Sequence, residues 1–178
     1  MTSTDPTAGQ LIQCFNLSIG VREGAVLKGG ASEPYYEPGA PDTIYFREDF
    51  IRSALHEVAH WCVAGSARRK LPDYGYWYAP DGRDDSQQIA FYAVEVKPQA
   101  LEKAFCQAVG IEFNVSVDNL SVSLSDPAIT LFEAAVEDRF GSLVLNGLPK
   151  RAEIFRHALI EYSRLYHWPS TFASDAGS

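Results

Sequence analysis

Only three cysteines, Cys14, Cys62 and Cys106, occur in the 178 residues, an odd number with no CxxC pair. That excludes a disulfide framework and a thiolate zinc site, and leaves three small apolar side chains to be buried. Long hydrophobic runs are also lacking. No stretch approaches the roughly 18 uninterrupted apolar residues of a membrane span, although 46% hydrophobic content is enough for a proper core. Positive charge is scarce: 15 Lys and Arg face 23 Asp and Glu, for a formal charge of −8. Binding to nucleic-acid phosphates is driven by clustered cations, so that balance opposes it. The local exception is Ala67-Arg68-Arg69-Lys70, which suits either an acidic partner or the negative end of the helix it follows. Residues 1–9 are small and polar, with no basic stretch leading into an apolar run and no cleavage-like site, so the cytoplasm is the expected location. Repeats, low-complexity tracts and dividing linkers are absent. One domain over 1–178, with about 1–9 and 170–178 as flexible tails, is expected.

Apolar positions Leu11, Ile12, Phe15 and Ile19 predict a short amphipathic helix over 10–19. From Val26 to Arg47 the chain is punctuated by Gly29-Gly30, Pro34, Pro38 and Pro41. Short strands at Tyr35-Tyr36 and Thr43–Arg47 imply a small sheet. A helix is expected over Asp49–Ala64, opening on acidic residues and closing at Gly65, with Ile51, Leu55, Val58, Ala59, Cys62 and Val63 facing the core. An irregular aromatic and acidic loop over 71–85 follows. Asp85 or Ser86 should cap a helix running to about Val96, and Pro98 should open another that ends at Gly110. Phe113 to Asn119 alternates as a strand or extended loop. Asp126-Pro127 and Pro149 start two further helices, the first ending near Asn146-Gly147. The sum is a helix-rich α+β domain with a modest sheet.

Only four histidines are present, yet two of them form His56-Glu57-Val58-Ala59-His60 inside the helix of 49–64. Side chains four apart share one helix face with Cβ atoms about 5–6 Å apart, so two imidazoles can converge on one ion. Chance supplies the pattern in about half a percent of chains of this composition, and two core histidines would waste polar groups on a buried face. A metal is therefore the better reading. A third protein ligand is then required, and Glu95, flanked by Val94 and Val96, is the candidate, because an apolar setting penalises an unpaired carboxylate. The competing role for Glu95 is a salt bridge to Arg68, Arg69 or Lys97. Two histidines and a carboxylate serve both non-heme Fe(II) oxygenases and hydrolytic zinc enzymes, and this spacing does not choose between them.

Around the motif stand His56–Cys62, Ala67-Arg68-Arg69, Asp73-Tyr74-Gly75-Tyr76-Trp77-Tyr78 and Pro80-Asp81-Gly82-Arg83-Asp84. Val94-Glu95-Val96-Lys97-Pro98-Gln99-Ala100, Phe113-Asn114-Val115-Ser116 and Asp118-Asn119 follow. In this order the series resembles the bacterial elongation factor P hydroxylase family, closely over about residues 50–120. The resemblance implies hydroxylation of the elongation factor P lysine that already bears a β-lysyl group. It implies Fe(II) held by His56, His60 and Glu95, with O2 as co-substrate and a reductant the residues do not identify. It also implies a zincin-like scaffold, similar to a small metal-dependent endoribonuclease of ribosome maturation, rather than the jelly roll of 2-oxoglutarate oxygenases. Glu57 then orients a ligand or a metal-bound water. A substrate carrying amines calls for carboxylates and aromatic faces, which Asp73, Tyr74, Tyr76, Trp77, Asp81 and Asp84 offer, with Arg83 neutralising Asp81 and Asp84.

Two other functions remain open to the sequence. A zinc peptidase or nuclease would use Glu57 as general base. A non-enzymatic module of the translation apparatus would use Arg68, Arg69 and Lys70, and its metal ligands would be dispensable.

Overall fold

A computed structural model describes residues 4–76, 82–119, 122–123 and 125–169. Thr7 begins the order: its hydroxyl accepts from Gln10 N while the Gln10 side chain returns to Thr7 N, a reciprocal cap that starts α1 (Ala8–Phe15). A π-helical turn over Asn16–Gly20 and the short α2 (Val21–Glu23) lead to Gly24, whose φ of 70° lets the chain reverse into the sheet.

The sheet holds β1 (Ala25–Ala31), β2 (Tyr35–Glu37) and β3 (Asp42–Arg47) in the order β1-β3-β2. The central β3 runs parallel to β1 and antiparallel to β2. Leu27, Tyr36, Ile44 and Phe46 are buried on it, and α3 (Ile51–Val63) packs there with Leu55, Val58, Ala59 and Cys62. Helix α3 opens two residues after Asp49, so no acidic side chain lies in its first turn, and of the expected core positions Val63 is exposed and Ile51 only half-buried.

The expected pair of helices split at Pro98 is instead one helix, α4 (Asp85–Val109), of 25 residues. Pro98 cannot donate to the Val94 carbonyl, a defect that costs about 3 kcal/mol in a helix interior. Burial on both sides outweighs it: Phe91, Tyr92 and Glu95 before the proline and Ala100, Leu101 and Phe105 after it are all buried, and only a continuous helix buries both sets. Helix α5 (Pro127–Asn146) starts at an Asp126 cap, α6 (Lys150–Tyr166) follows Pro149, and residues 111–119 form a segment that is neither helix nor strand. Edge-to-face rings join four elements, with Phe15–Trp61 at 5.4 Å, Phe15–Phe155 at 5.6 Å and Phe105–Phe155 at 5.0 Å. The described residues therefore form a helix-rich α+β fold with a small mixed sheet. All three cysteines are buried and free, and among the described residues no helix is long and apolar enough to cross a membrane.

The carbonyls at the end of α3 are not met by Arg68, Arg69 and Lys70. Arg151 of α6 reaches over instead, donating to the carbonyls of Trp61 at 3.0 Å and Cys62 at 3.2 Å while its guanidinium lies 4.6 Å over the Trp61 ring. This cross-helix cap fixes the helix that carries both histidines.

Candidate metal centre

One turn apart on α3, His56 and His60 turn toward each other until their Nε2 atoms are 3.0 Å apart. Glu95 of α4 completes a triangle, Oε1 lying 2.9 Å from His60 Nε2 and Oε2 lying 3.5 Å from His56 Nε2. Three donors on one ion with bonds of about 2.1 Å stand about 3.0 Å apart at right angles and about 3.4 Å apart at tetrahedral angles. The Nε2 pair and the His60–Glu95 contact are close to those spacings, the His56 contact, made by the other carboxylate oxygen, is slightly longer, and one donor atom from each residue lies within 4.8 Å of the others. Two imidazoles and a carboxylate are therefore both chemically and metrically suited to a divalent ion. Glu95 is paired with the histidines and not with Arg68, Arg69 or Lys97.

The helices also supply what holds the donors. His56 Nδ1 lies 2.9 Å from Oε2 of Glu102, so Nδ1 keeps its proton on that side, and a metal that displaces the Nε2 proton would meet the Nε2 lone pair at the centre. Glu102 is 2% exposed and is itself fixed by Arg52, whose Nε donates at 2.7 Å and whose Nη2 stands at 2.6 Å. Arg52 also donates to the Asn114 carbonyl at 2.8 Å and lies 5.0 Å over the Phe113 ring. Gln99 donates to Glu95 Oε2 at 3.0 Å and clasps the Ser116 backbone, accepting from its N at 3.0 Å and donating to its carbonyl at 2.8 Å. The 111–119 segment thus anchors both supports.

Sequence reasoning passed over Glu102, Gln99 and Arg52. The signal was present as Glu95, Gln99 and Glu102, spaced four and three on one helix face, but a helix broken at Pro98 hides that face.

Charge within the centre is strongly coupled. Burial raises the Glu95 pKa, but His60 and His56 outweigh it and hold the carboxyl down to about 2. Burial disfavours the charged form of His56, yet Glu95 and Glu102 overcome it and raise its pKa to about 10. Glu57, half-buried, is pushed above the usual carboxylate range by burial, against the pull of both histidines.

The loop residues expected to meet substrate have mixed surroundings. Asp73 Oδ1 accepts from Tyr36 N at 2.7 Å. Asp73 and Tyr74 adopt left-handed φ values of 46° and 59°. That strained pair lays the Tyr74 ring on Tyr36 at 4.3 Å and parallel to the His60 ring at 6.5 Å. Tyr76 stacks under the Arg68 guanidinium at 4.1 Å. Asp84 is the cap of α4, accepting from Gln87 N at 2.8 Å and Ser86 Oγ at 2.8 Å, so the cap lies one residue before the expected Asp85. Arg83 does not serve Asp84: it is buried over the Phe91 ring at 4.1 Å and donates to Gln88 and to the Val117 carbonyl, each at 3.0 Å. Trp77 and Asp81 lie outside the described residues.

The fold and these side chains define a candidate mononuclear centre of the two-histidine, one-carboxylate type, carried by adjacent helices of an α+β scaffold. The family described as elongation factor P hydroxylase matches residues 14–172. The chain is 46% identical over 154 residues to the elongation factor P lysine hydroxylase of Haemophilus influenzae, covering 84% of this chain and 83% of that protein. The chain belongs to the elongation factor P hydroxylase family.

Proposed function

We propose that this protein is a cytoplasmic, single-domain oxidoreductase. It hydroxylates the β-lysyl-modified lysine of elongation factor P, with Fe(II) held by His56, His60 and Glu95 and O2 as co-substrate. The observation that carries the reading is the close His56, His60 and Glu95 donor cluster in a chain of this family. Bound there, Fe(II) supplies O2 reduction and delivery of one oxygen atom to a side-chain carbon. The protein's own residues do the remaining work. Glu102 holds the His56 proton on Nδ1, Gln99 steadies Glu95, and Arg52 and Ser116 fix those two supports. Glu57, beside both histidines, orients a ligand or water at the open face. Asp73 has Oδ2 left to meet an ammonium group of the substrate arm, with Trp77, Asp81 and Asp84 as further substrate residues, while Tyr76, under the Arg68 guanidinium, walls the neighbouring pocket instead. The small mixed sheet and helical bulk fit a zincin-like or endoribonuclease-like scaffold better than a jelly roll, which needs two large antiparallel sheets.

Mass spectrometry of β-lysylated elongation factor P after aerobic incubation with the Fe(II)-loaded protein tests this. A gain of one oxygen on the modified lysine is expected, and an unchanged mass overturns it. The desolvated Glu57 carboxyl favours one second reading, a zinc hydrolase with Glu57 as general base. Tight zinc, oxygen-independent activity and a Glu57→Gln loss as severe as that of His56→Ala would establish the hydrolase instead.

A further inference from the structure

Beside His60 the surface opens into a pocket of about 340 Å³, walled by the end of α3, the turns from Arg68 to Tyr76, and the Val94–Pro98 stretch of α4. That volume is at the small end for organic ligands. Its walls carry two cations from different elements, Arg68 and Lys97, both exposed, and among the described residues lining it there is no carboxylate. Arg68 is held in place: its guanidinium lies 4.1 Å over the Tyr76 ring, and Nη1 donates to the Tyr74 carbonyl at 3.0 Å. Its remaining donors have no acceptor among the described residues, and Lys97 has no ion pair or hydrogen bond there. In a chain of net charge −8, these two cations line a cavity that reaches a candidate metal ligand, without counter-charge among the described residues. Such a lining attracts a carboxylate and repels an ammonium group.

We propose that this pocket binds a small organic anion, a carboxylate or enolate, between Arg68 and Lys97 beside His60, and excludes the cationic lysyl arm. Its role, though not the binding itself, rests on the hydroxylation reading. Placing one atom of O2 into a C–H bond leaves the other to become water, which consumes two electrons and two protons. An enediol supplies both electrons as its two C–O groups become carbonyls; bound as the enolate it brings one of the two protons and solvent the other, so that R–H, O2, the enolate and one proton yield R–OH, water and the diketone.

Ascorbate, an enolate anion, is the probe for calorimetric titration of the full-length protein. Saturable binding is expected that weakens at least tenfold in the double variant Arg68→Ala with Lys97→Ala, weakens with added salt, and resists competition by the diamine cadaverine. Circular dichroism checks that the variant, altered only at exposed positions, is folded. Equal affinity in both proteins, displacement by cadaverine, or no saturable binding up to about 10 mM overturns the pocket, even where oxygen transfer to elongation factor P is seen. Charge-dependent binding without any oxygen transfer upholds the pocket and sinks only the hydroxylation reading.

Discussion

Glu95 and Glu102 sit seven residues apart on one helix, both nearly inaccessible to water, and hold the same imidazole from opposite ends. Their consequences differ. Glu95→Ala removes a donor atom: retained metal, read by metal analysis, and turnover should both collapse while the helical circular dichroism signal stays near that of the parent. Glu102→Gln leaves all three donors but weakens the acceptor that orients His56, so metal affinity should fall about 10- to 100-fold, measured by chelator competition. If Glu102→Gln binds metal as tightly as the parent, His56 does not depend on that contact. The two histidines are legible in the sequence because four-residue spacing on a helix is a local property. Glu95 is legible through its apolar neighbours. Glu102 and Arg52 are not, because their partners are 46 and 50 residues distant in the chain.

Among the elements, α4 and the end of α3 show how packing overrides local rules. Pro98 leaves the Val94 carbonyl without its helix donor, so Pro98→Ala should stabilise the protein by about 1 kcal/mol, the restored hydrogen bond exceeding the lost ring burial. A higher urea midpoint at unchanged slope is the expected result. Arg151→Ala strips a charged donor from the carbonyls ending α3 and should cost about 2 kcal/mol. Arg151→Lys should recover only part of this, since a point charge neither bonds several carbonyls as a planar fork does nor lies flat on Trp61. The starts of α5 and α6 were legible from Asp126-Pro127 and Pro149, which act on the first turn alone. The continuity of α4 was not, because a proline signals a break locally and only the surrounding core decides whether the chain obeys.

For the whole molecule, the buried centre ties stability to pH. With metal stripped by chelator, Glu95 has a folded pKa of about 2 against 4.5 for the ordinary group, so its contribution is present above pH 4.5 and lost as pH falls toward 2. His56 is raised from 6.5 to about 10, so its contribution is full below pH 6.5 and lost as pH rises toward 10. Both describe one attraction, and the metal-free protein should be most stable between those limits, as urea melts from about pH 3 to about pH 9 would show. A Glu95→Gln variant should flatten the profile, and an undiminished parent stability at the alkaline end would contradict the linkage. The sequence by itself determined the helix seeds, the caps at Gly110, Asp126 and Pro149, the strand segments at 35–36 and 43–47 and the convergence of His56 with His60, all of them consequences of spacing within a few residues, but not β1, which is defined by parallel pairing with β3 17 residues on. Only the tertiary structure decided that one unbroken helix brings Glu95, Gln99 and Glu102 to one face, that Arg151 closes α3, and that Arg68 and Lys97, with no ion pair among the described residues, line a pocket with His60. Each of those depends on how helices far apart in the chain are packed against one another, and that packing is set by burial of the shared core.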